Sequence, residues 1–243
     1  MEWNRKLLQD IISWDINTWK RALFCWDAHM DALLPAPGLR VLEIGARGGG
    51  VSLYFARKGW QCVCSDRGEN FAEAAALHDA YGVSEQVTYV DADCTALPFP
   101  EASFDAVVFK SVLGSIGKNG EDARIDAAMA EMLRVLKPGG TLFFAENLAA
   151  TRMHLSLRRR FNRWGAAWNY LTLARIRTLL ANFDAPQLHT YGFWGCFLKD
   201  HPLTRVADAL CCRKDPSARH YMCYGIAKKP GAQPGIKQQE GEG

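Results

Sequence analysis

The residues whose types and spacing could do chemistry begin with a glycine-rich run, Val41-Leu42-Glu43-Ile44-Gly45-Ala46-Arg47-Gly48-Gly49-Gly50. Glycine lets a backbone turn tightly and approach a ligand closely, and a helix starting near Val51 would aim free N–H groups at a polar or anionic moiety. Many nucleotide-binding folds share such a turn. Asp66 stands 23 residues after Glu43, at the end of the next apolar run. A doubly wound sheet places there an acid that accepts hydrogen bonds from ribose hydroxyls; a turn former or helix cap is the alternative. Asp93 and Cys94 follow the next apolar run in the same way.

Two side chains are candidate proton carriers. His154 follows the fifth apolar run, and a histidine there could serve as general base or simply pack. Lys110 ends the fourth run; desolvated it could act as a base, and charged it would bind cofactor or substrate. His29, His78, His189, His201 and His220 carry less signal. Between Asn147 and Phe183 stand Arg152, Arg158, Arg159, Arg160, Arg163, Arg175 and Arg177 with no acidic residue. Arginine forks suit phosphate and carboxylate, which favours an anionic small-molecule acceptor; a solvated basic face explains the same residues equally well. In a third reading the segment rests on an anionic membrane surface through Trp164 and Trp168.

The elements that must position these residues follow from apolar periodicity. Short continuous apolar runs at Val41–Ile44, Gln61–Ser65, Val87–Val90, Ala106–Phe109 and Thr141–Ala145 predict parallel strands covered on both faces. Val51–Lys58, Asn70–Tyr81 and Asp122–Leu136 predict the crossover helices, the last ending at Lys137-Pro138-Gly139-Gly140. Ile12, Ile16, Trp19, Leu23, Trp26, Met30 and Leu33 mark one long amphipathic helix that Pro35, Pro37 and Gly38 end. Leu157, Phe161, Trp164, Trp168 and Leu171 predict another helix, and Thr172 caps one through Leu180. Gln187–Phe197 and Arg219–Lys228 predict the last strands, with a short helix over Leu203–Cys212 between them.

The chain has 243 residues, 49% hydrophobic, which suits one domain over residues 1–229 and a disordered, polar tail over 230–243. Residues 1–37 would be a helical cap, 38–147 the core, and 148–229 the substrate side. The eight cysteines include no CxxC pair and no metal-ligand spacing, so reduced thiols in a cytoplasmic protein are expected, with no metal. No apolar run reaches the roughly 18 residues of a membrane span. A net charge of +3 gives no general case for nucleic acid.

Leu97-Pro98-Phe99-Pro100, then Ser103-Phe104-Asp105, then Leu133-Arg134-Val135-Leu136-Lys137-Pro138-Gly139-Gly140 come in order behind the glycine turn. This joint pattern resembles the class I S-adenosylmethionine-dependent methyltransferases over about residues 38–147. The resemblance implies a Rossmann-like, doubly wound, seven-stranded α/β sheet, mostly parallel with one antiparallel strand, helices on both faces and an N-terminal helical cap. It implies S-adenosyl-L-methionine as cofactor, held by Glu43 at its amino group, Gly45 and Gly49 beside its methionyl part and Asp66 at the ribose, with Ala46 and Arg67 also among the cofactor-binding residues. Asp93 and Cys94 would meet the adenine, and Lys110 and Ser111 would face the methyl-donor end. Arg47 departs from the family, which has glycine there, and a dinucleotide-binding GxGxxG turn would need glycine at the same position.

Methyl transfer to an oxygen or nitrogen of a small acceptor is the leading expectation, with an acidic saccharide, nucleotide sugar or lipid-linked phosphate as candidate acceptors. A cofactor-binding sensor or partner subunit without catalysis stands against it, and a nicotinamide-dependent oxidoreductase stands further behind.

Overall fold

Apolar runs alternating with amphipathic segments assemble here into one sheet. The computed structural model describes residues 3–31, 38–68, 70–161, 167–198 and 201–231. Strands β1 (Arg40–Ile44), β2 (Gln61–Asp66), β3 (Val87–Asp91), β4 (Phe104–Lys110), β5 (Leu136–Asn147), β6 (Asp184–Tyr191) and β7 (Met222–Lys228) lie in the order β3-β2-β1-β4-β5-β7-β6. β7 is antiparallel to both neighbours, and every other pair is parallel. The sheet is thus the seven-stranded, Rossmann-like one that the sequence pattern implies.

The described helices are α1 (Arg5–Ile12), α2 (Ile16–Asp31), α3 (Gly50–Ala56), α4 (Ala72–Ala80), α5 (Leu113–Ile116), α6 (Asp122–Val135), α7 (Arg152–Phe161), α8 (Leu173–Leu179), α9 (Gly195–Leu198) and α10 (Pro202–Cys211). Alternation along the strands sorts them between two faces. Val41, Cys62, Val108 and Phe143 pack with buried residues of α1, α2 and α3. Leu42, Ile44, Val107 and Phe144 pack with Ile125, Met129 and Met132 of α6 and Ile176 of α8. By the same parity, Glu43 and Lys110 fall on the α1–α3 face.

The predicted strands and crossover helices form with shifted ends, and three differences matter. The single N-terminal helix is two. Ser13 and Asp15 adopt positive φ (72° and 43°), and Thr18 N and Trp19 N restart the helix on Asp15 O at 3.1 Å. An apolar stripe with helical spacing runs through both helices and hides the break; Leu33, Pro35 and Pro37 lie outside the described residues. The predicted 157–171 helix starts earlier, at Arg152, and is described as far as Phe161; Trp168 is not helical, and Leu171 bridges Leu148, while Trp164 lies outside the described residues. β6 ends at Tyr191 rather than Phe197, because Gly192 turns at φ 85° and Asp208 then takes the N–H groups of Phe193 and Trp194 at 3.0 and 2.6 Å. All but the first two residues of the predicted disordered tail lie outside the described residues. No described helix is long and apolar enough to cross a membrane.

Candidate functional site

In this strand order the crossovers reverse direction between β1 and β4, and an open α/β sheet has its crevice at such a point, outside the carboxyl ends of the strands. A cleft of about 880 Å³ lies there. One half is built from the turns after β1, β2 and β3. Gly45 lines it at φ 67°; a Cβ would stand 2.7 Å from Val112 Cγ2, so only glycine keeps this wall in place. Arg47 also lines the cleft, in the left-handed region at φ 50°, and its side chain is exposed. Its N–H donates to Asp66 Oδ2 at 2.7 Å, and Arg67 N–H donates to Asp66 Oδ1 at 2.7 Å. Each Asp66 oxygen keeps acceptor capacity, and the residue faces the cleft.

Asp93 lies across from it. Its Oδ1 accepts from Thr95 N and Thr95 Oγ1 (2.9 and 2.7 Å), and its Oδ2 from Arg124 Nη2 at 3.2 Å. The Thr95 bonds hold its carboxyl below the usual carboxylate range. Cys94 and Arg67 complete this wall.

The other half is aromatic. Trp14 and Trp19 come from the break and the start of α2, Trp168 and Tyr170 from the segment before α8, and Tyr221 from the approach to β7. Tyr221 O–H hydrogen bonds with the Asp15 carboxylate and with Thr18 Oγ1 at 2.7 Å. Burial and the nearby Asp15 charge drive the Tyr221 phenol well up. Ser111, at φ 58°, receives Asn147 Nδ2 at 2.6 Å, and both line the cleft between the two halves. Glu146, fully buried, holds this junction. It accepts from Val112 N and Leu113 N at 2.8 and 2.7 Å and from Asn147 N at 2.7 Å, and burial raises its carboxyl to about 7.

The cleft therefore brings together Gly45, Asp66, Arg67, Asp93 and Cys94 of the residues singled out by sequence. It does not bring in Glu43, Ala46, Gly49, Lys110 or His154. Glu43, 4% exposed, accepts from Ser52 N and Oγ at 2.7 and 2.5 Å, and so anchors the start of α3 beneath the cap. Lys110 Nζ donates to Ile12 O at 3.1 Å and sits 3.6 Å from the Trp14 ring centroid, behind the cleft wall. Burial moves both toward about 7, Glu43 upward and Lys110 downward, while their mutual attraction opposes both shifts. Ala46 N bonds Ser65 O at 2.9 Å, and Gly49 packs on Ala74 and His78 at the start of α3.

His154, expected as a candidate base, does not line the cleft. It is fully buried, with Nδ1 on Thr151 Oγ1 and Nε2 on Phe193 O, both at 2.7 Å, and burial lowers its pKa. The helical period of α7 turns it and Arg158 inward together.

Sequence reasoning missed Asp15, Tyr221, Arg124, Glu146 and His78. His78 bridges Tyr89 O–H (2.8 Å) and Gly49 O (2.9 Å), bracing the glycine turn. Among the described residues no His, Cys, Asp and Glu cluster is placed to hold a metal.

Residues 42–144 match a family described as a methyltransferase domain. The ubiquinone/menaquinone biosynthesis C-methyltransferase UbiE of Shewanella pealeana is 31% identical over 146 residues, 58% of this chain and 53% of that protein. The chain thus spans about half the length of the curated relatives it matches. Among solved structures, Haemonchus contortus phosphoethanolamine N-methyltransferase 2, in complex with phosphomonomethylethanolamine and S-adenosylhomocysteine, is similar at TM-score 0.60 and 18% identity, over 87% of this chain and 53% of that one. The [4+2]-cyclase SpnF is similar at TM-score 0.58 and 22% identity, over 80% of this chain and 76% of that one. At these identities the likeness is one of fold.

Proposed function

We propose that the protein is a class I, S-adenosylmethionine-dependent methyltransferase, as the match of residues 42–144 to a methyltransferase domain suggests, and that it transfers a methyl group from that cofactor to a small acceptor by in-line displacement. The observation that carries the reading is the convergence of Gly45, Asp66 and Asp93, from three successive strand ends, on one cleft. The donor set suits the cofactor. Asp66 has one acceptor site left on each oxygen for a ribose diol, Asp93 and the Cys94 backbone suit an adenine edge, and the Gly45 wall is a cradle that a Cβ would fill. When bound, the cofactor supplies a methyl group on a positively charged sulfur. The chain's own contribution is to align, exclude water and remove a proton. Trp14, Trp19 and Trp168 exclude water, and Arg47 is placed to meet a carboxylate at the mouth of the glycine turn.

The acceptor is proposed to be anionic and to offer an oxygen or nitrogen, an acidic saccharide being the class among those expected that Arg158, the one described arginine of its segment lining the cleft, suits best. A hydroxyl needs a proton acceptor, and Asp15 supplies it in place of His154: the Asp15 carboxylate takes the Tyr221 phenol proton as the Tyr221 oxygen takes that of the acceptor hydroxyl, leaving Tyr221 protonated as before. A carbon acceptor is the second reading, favoured by relatives named as C-methyltransferases. A cytoplasmic setting goes with the proposal, in keeping with buried free thiols at Cys62, Cys64 and Cys223.

The test is transfer of radiolabel from the methyl donor to a library of such acceptors. Labelled product and S-adenosylhomocysteine in equal amounts support the reading. Cofactor binding with no transfer to any acceptor class would favour a non-catalytic binding protein.

A further inference from the structure

Of the arginines between Asn147 and Phe183, one is placed unlike the rest. Arg152, Arg159, Arg160 and Arg177 are exposed, Arg175 pairs with Asp126 at 2.6 Å, and Arg163 lies outside the described residues. Arg158 is 7% exposed and lines the acceptor half of the cleft. Its Nη1 donates to Leu148 O at 2.8 Å, while Nη2 is buried with no hydrogen-bond partner among the described residues. None of the ion pairs among the described residues includes it. The guanidinium stands 4.7 Å from the Tyr170 ring centroid and 5.3 Å from that of Tyr221. A buried cation with an orphaned N–H edge is costly by itself, and an oxyanion brought by a ligand removes that cost.

We propose that Arg158 is the anion-recognition residue of the acceptor half, and that the acceptor carries a carboxylate on a flat or ring-shaped body. The assignment rests on reading the cleft as a methyl-transfer site. Charge and donors select carboxylate over phosphate. Arg158 brings one positive charge, and one end of its fork is already committed to Leu148 O, so a monoanion neutralises it. The other cations lining the cleft, Arg47, Arg67, Lys118 and Arg124, belong to the turns after β1 and β2 and to the segment from α5 to α6, so beside Arg158 the second charge of a phosphate dianion would meet aromatic walls and the carboxylate of Asp15. The flat body follows from the aromatic lining of this half, Trp14, Trp168 and Tyr170, which suits a ring better than a bulky or strongly hydrated body. The exposed arginines on the outer face of α7 are then a solvated surface with no part in recognition.

The test uses the whole chain saturated with S-adenosylhomocysteine, and the chain alone, with benzoate, phenyl phosphate and benzyl alcohol as probes read by tryptophan fluorescence. Benzoate is expected to bind saturably, about tenfold tighter than benzyl alcohol and clearly tighter than phenyl phosphate. Arg158→Gln should weaken benzoate about tenfold, Arg158→Lys less, with S-adenosylhomocysteine affinity unchanged within about twofold. Equal binding of benzoate and benzyl alcohol, tighter binding of phenyl phosphate, or an unchanged benzoate affinity in Arg158→Gln would overturn the proposal. If the variants do not fold, the wild-type probe series decides alone. Benzoate selectivity in a chain that fails to bind S-adenosylhomocysteine would uphold Arg158 as an anion site and remove the methyl-transfer reading.

Discussion

Replacing Asp66 separates a ribose-binding acid from a mere turn former. Its two oxygens each take one backbone N–H, from Arg47 and Arg67, both at 2.7 Å, and each retains a free acceptor position at the cleft. Hydrogen bonds to a charged acceptor are worth about 1.5–3 kcal/mol each. Losing two at the lower end costs about 3 kcal/mol, or about 150-fold in affinity. Asp66→Ala also frees the N–H that helps hold Arg47 in the left-handed region, so the loop loses a restraint as well as a ligand contact. Asp66→Asn keeps one acceptor oxygen and should lose about tenfold. Calorimetric titration of S-adenosylhomocysteine into both variants and into Asp91→Asn measures this. Asp91 is the control, an exposed acid at the end of the neighbouring strand that accepts from Gly68 N at 2.8 Å and does not line the cleft. Affinity of folded Asp66→Ala within threefold of wild type, or equal losses in Asp91→Asn, would refute the assignment.

Gly45→Ala places a Cβ 2.7 Å from Val112 at φ 67°; we expect about 1–3 kcal/mol lost from stability in urea titration, and weaker S-adenosylhomocysteine binding. Lys110→Met strands Ile12 O and removes the charge that attracts the buried Glu43, and should cost about 1–3 kcal/mol, partly recovered in the Glu43→Gln/Lys110→Met double variant of a thermal-unfolding cycle. His154→Ala should cost about 1–3 kcal/mol, by stranding Thr151 and Phe193 O, yet leave the pH profile of turnover unmoved; a lost basic limb in that profile would restore the histidine as base. The Glu146 carboxyl is raised to about 7 in the folded chain. The folded state therefore holds its proton more tightly than the unfolded one, and stability fully present below the ordinary carboxylate range falls as pH rises toward 7, by at most about 1.4 kcal/mol per unit. Glu43 and the buried histidines titrate in the same range, so the contribution is read as the difference in stability between wild type and Glu146→Gln in urea titrations between pH 5 and 8, which should show that fall.

What the sequence made legible is what depends on local pattern. The apolar runs around Val41, Val63 and Val107 needed only period and length, and Asp66 and Asp93 needed only their place at strand ends. The rest depended on direction or on distant partners. Glu43 follows the motif in position, but strand parity turns it under the cap, where Ser52 claims it. The stripe from Ile16 to Met30 cannot report that the chain breaks at Ser13, which is what brings Trp14 and Asp15 into the cleft. Tyr221 meets Asp15 across 206 positions, a contact that no spacing announces. The arginine-rich segment read as one feature because its members share a type; the inward face of α7 and the burial of Nη2 single out Arg158.

The most direct test of the central claim is calorimetry of the whole chain with S-adenosylhomocysteine, and in parallel with a reduced nicotinamide dinucleotide. Saturable binding of the first at one site per chain, with none of the second, is the predicted result. No binding of S-adenosylhomocysteine at high concentration, with or without binding of the dinucleotide, would contradict it.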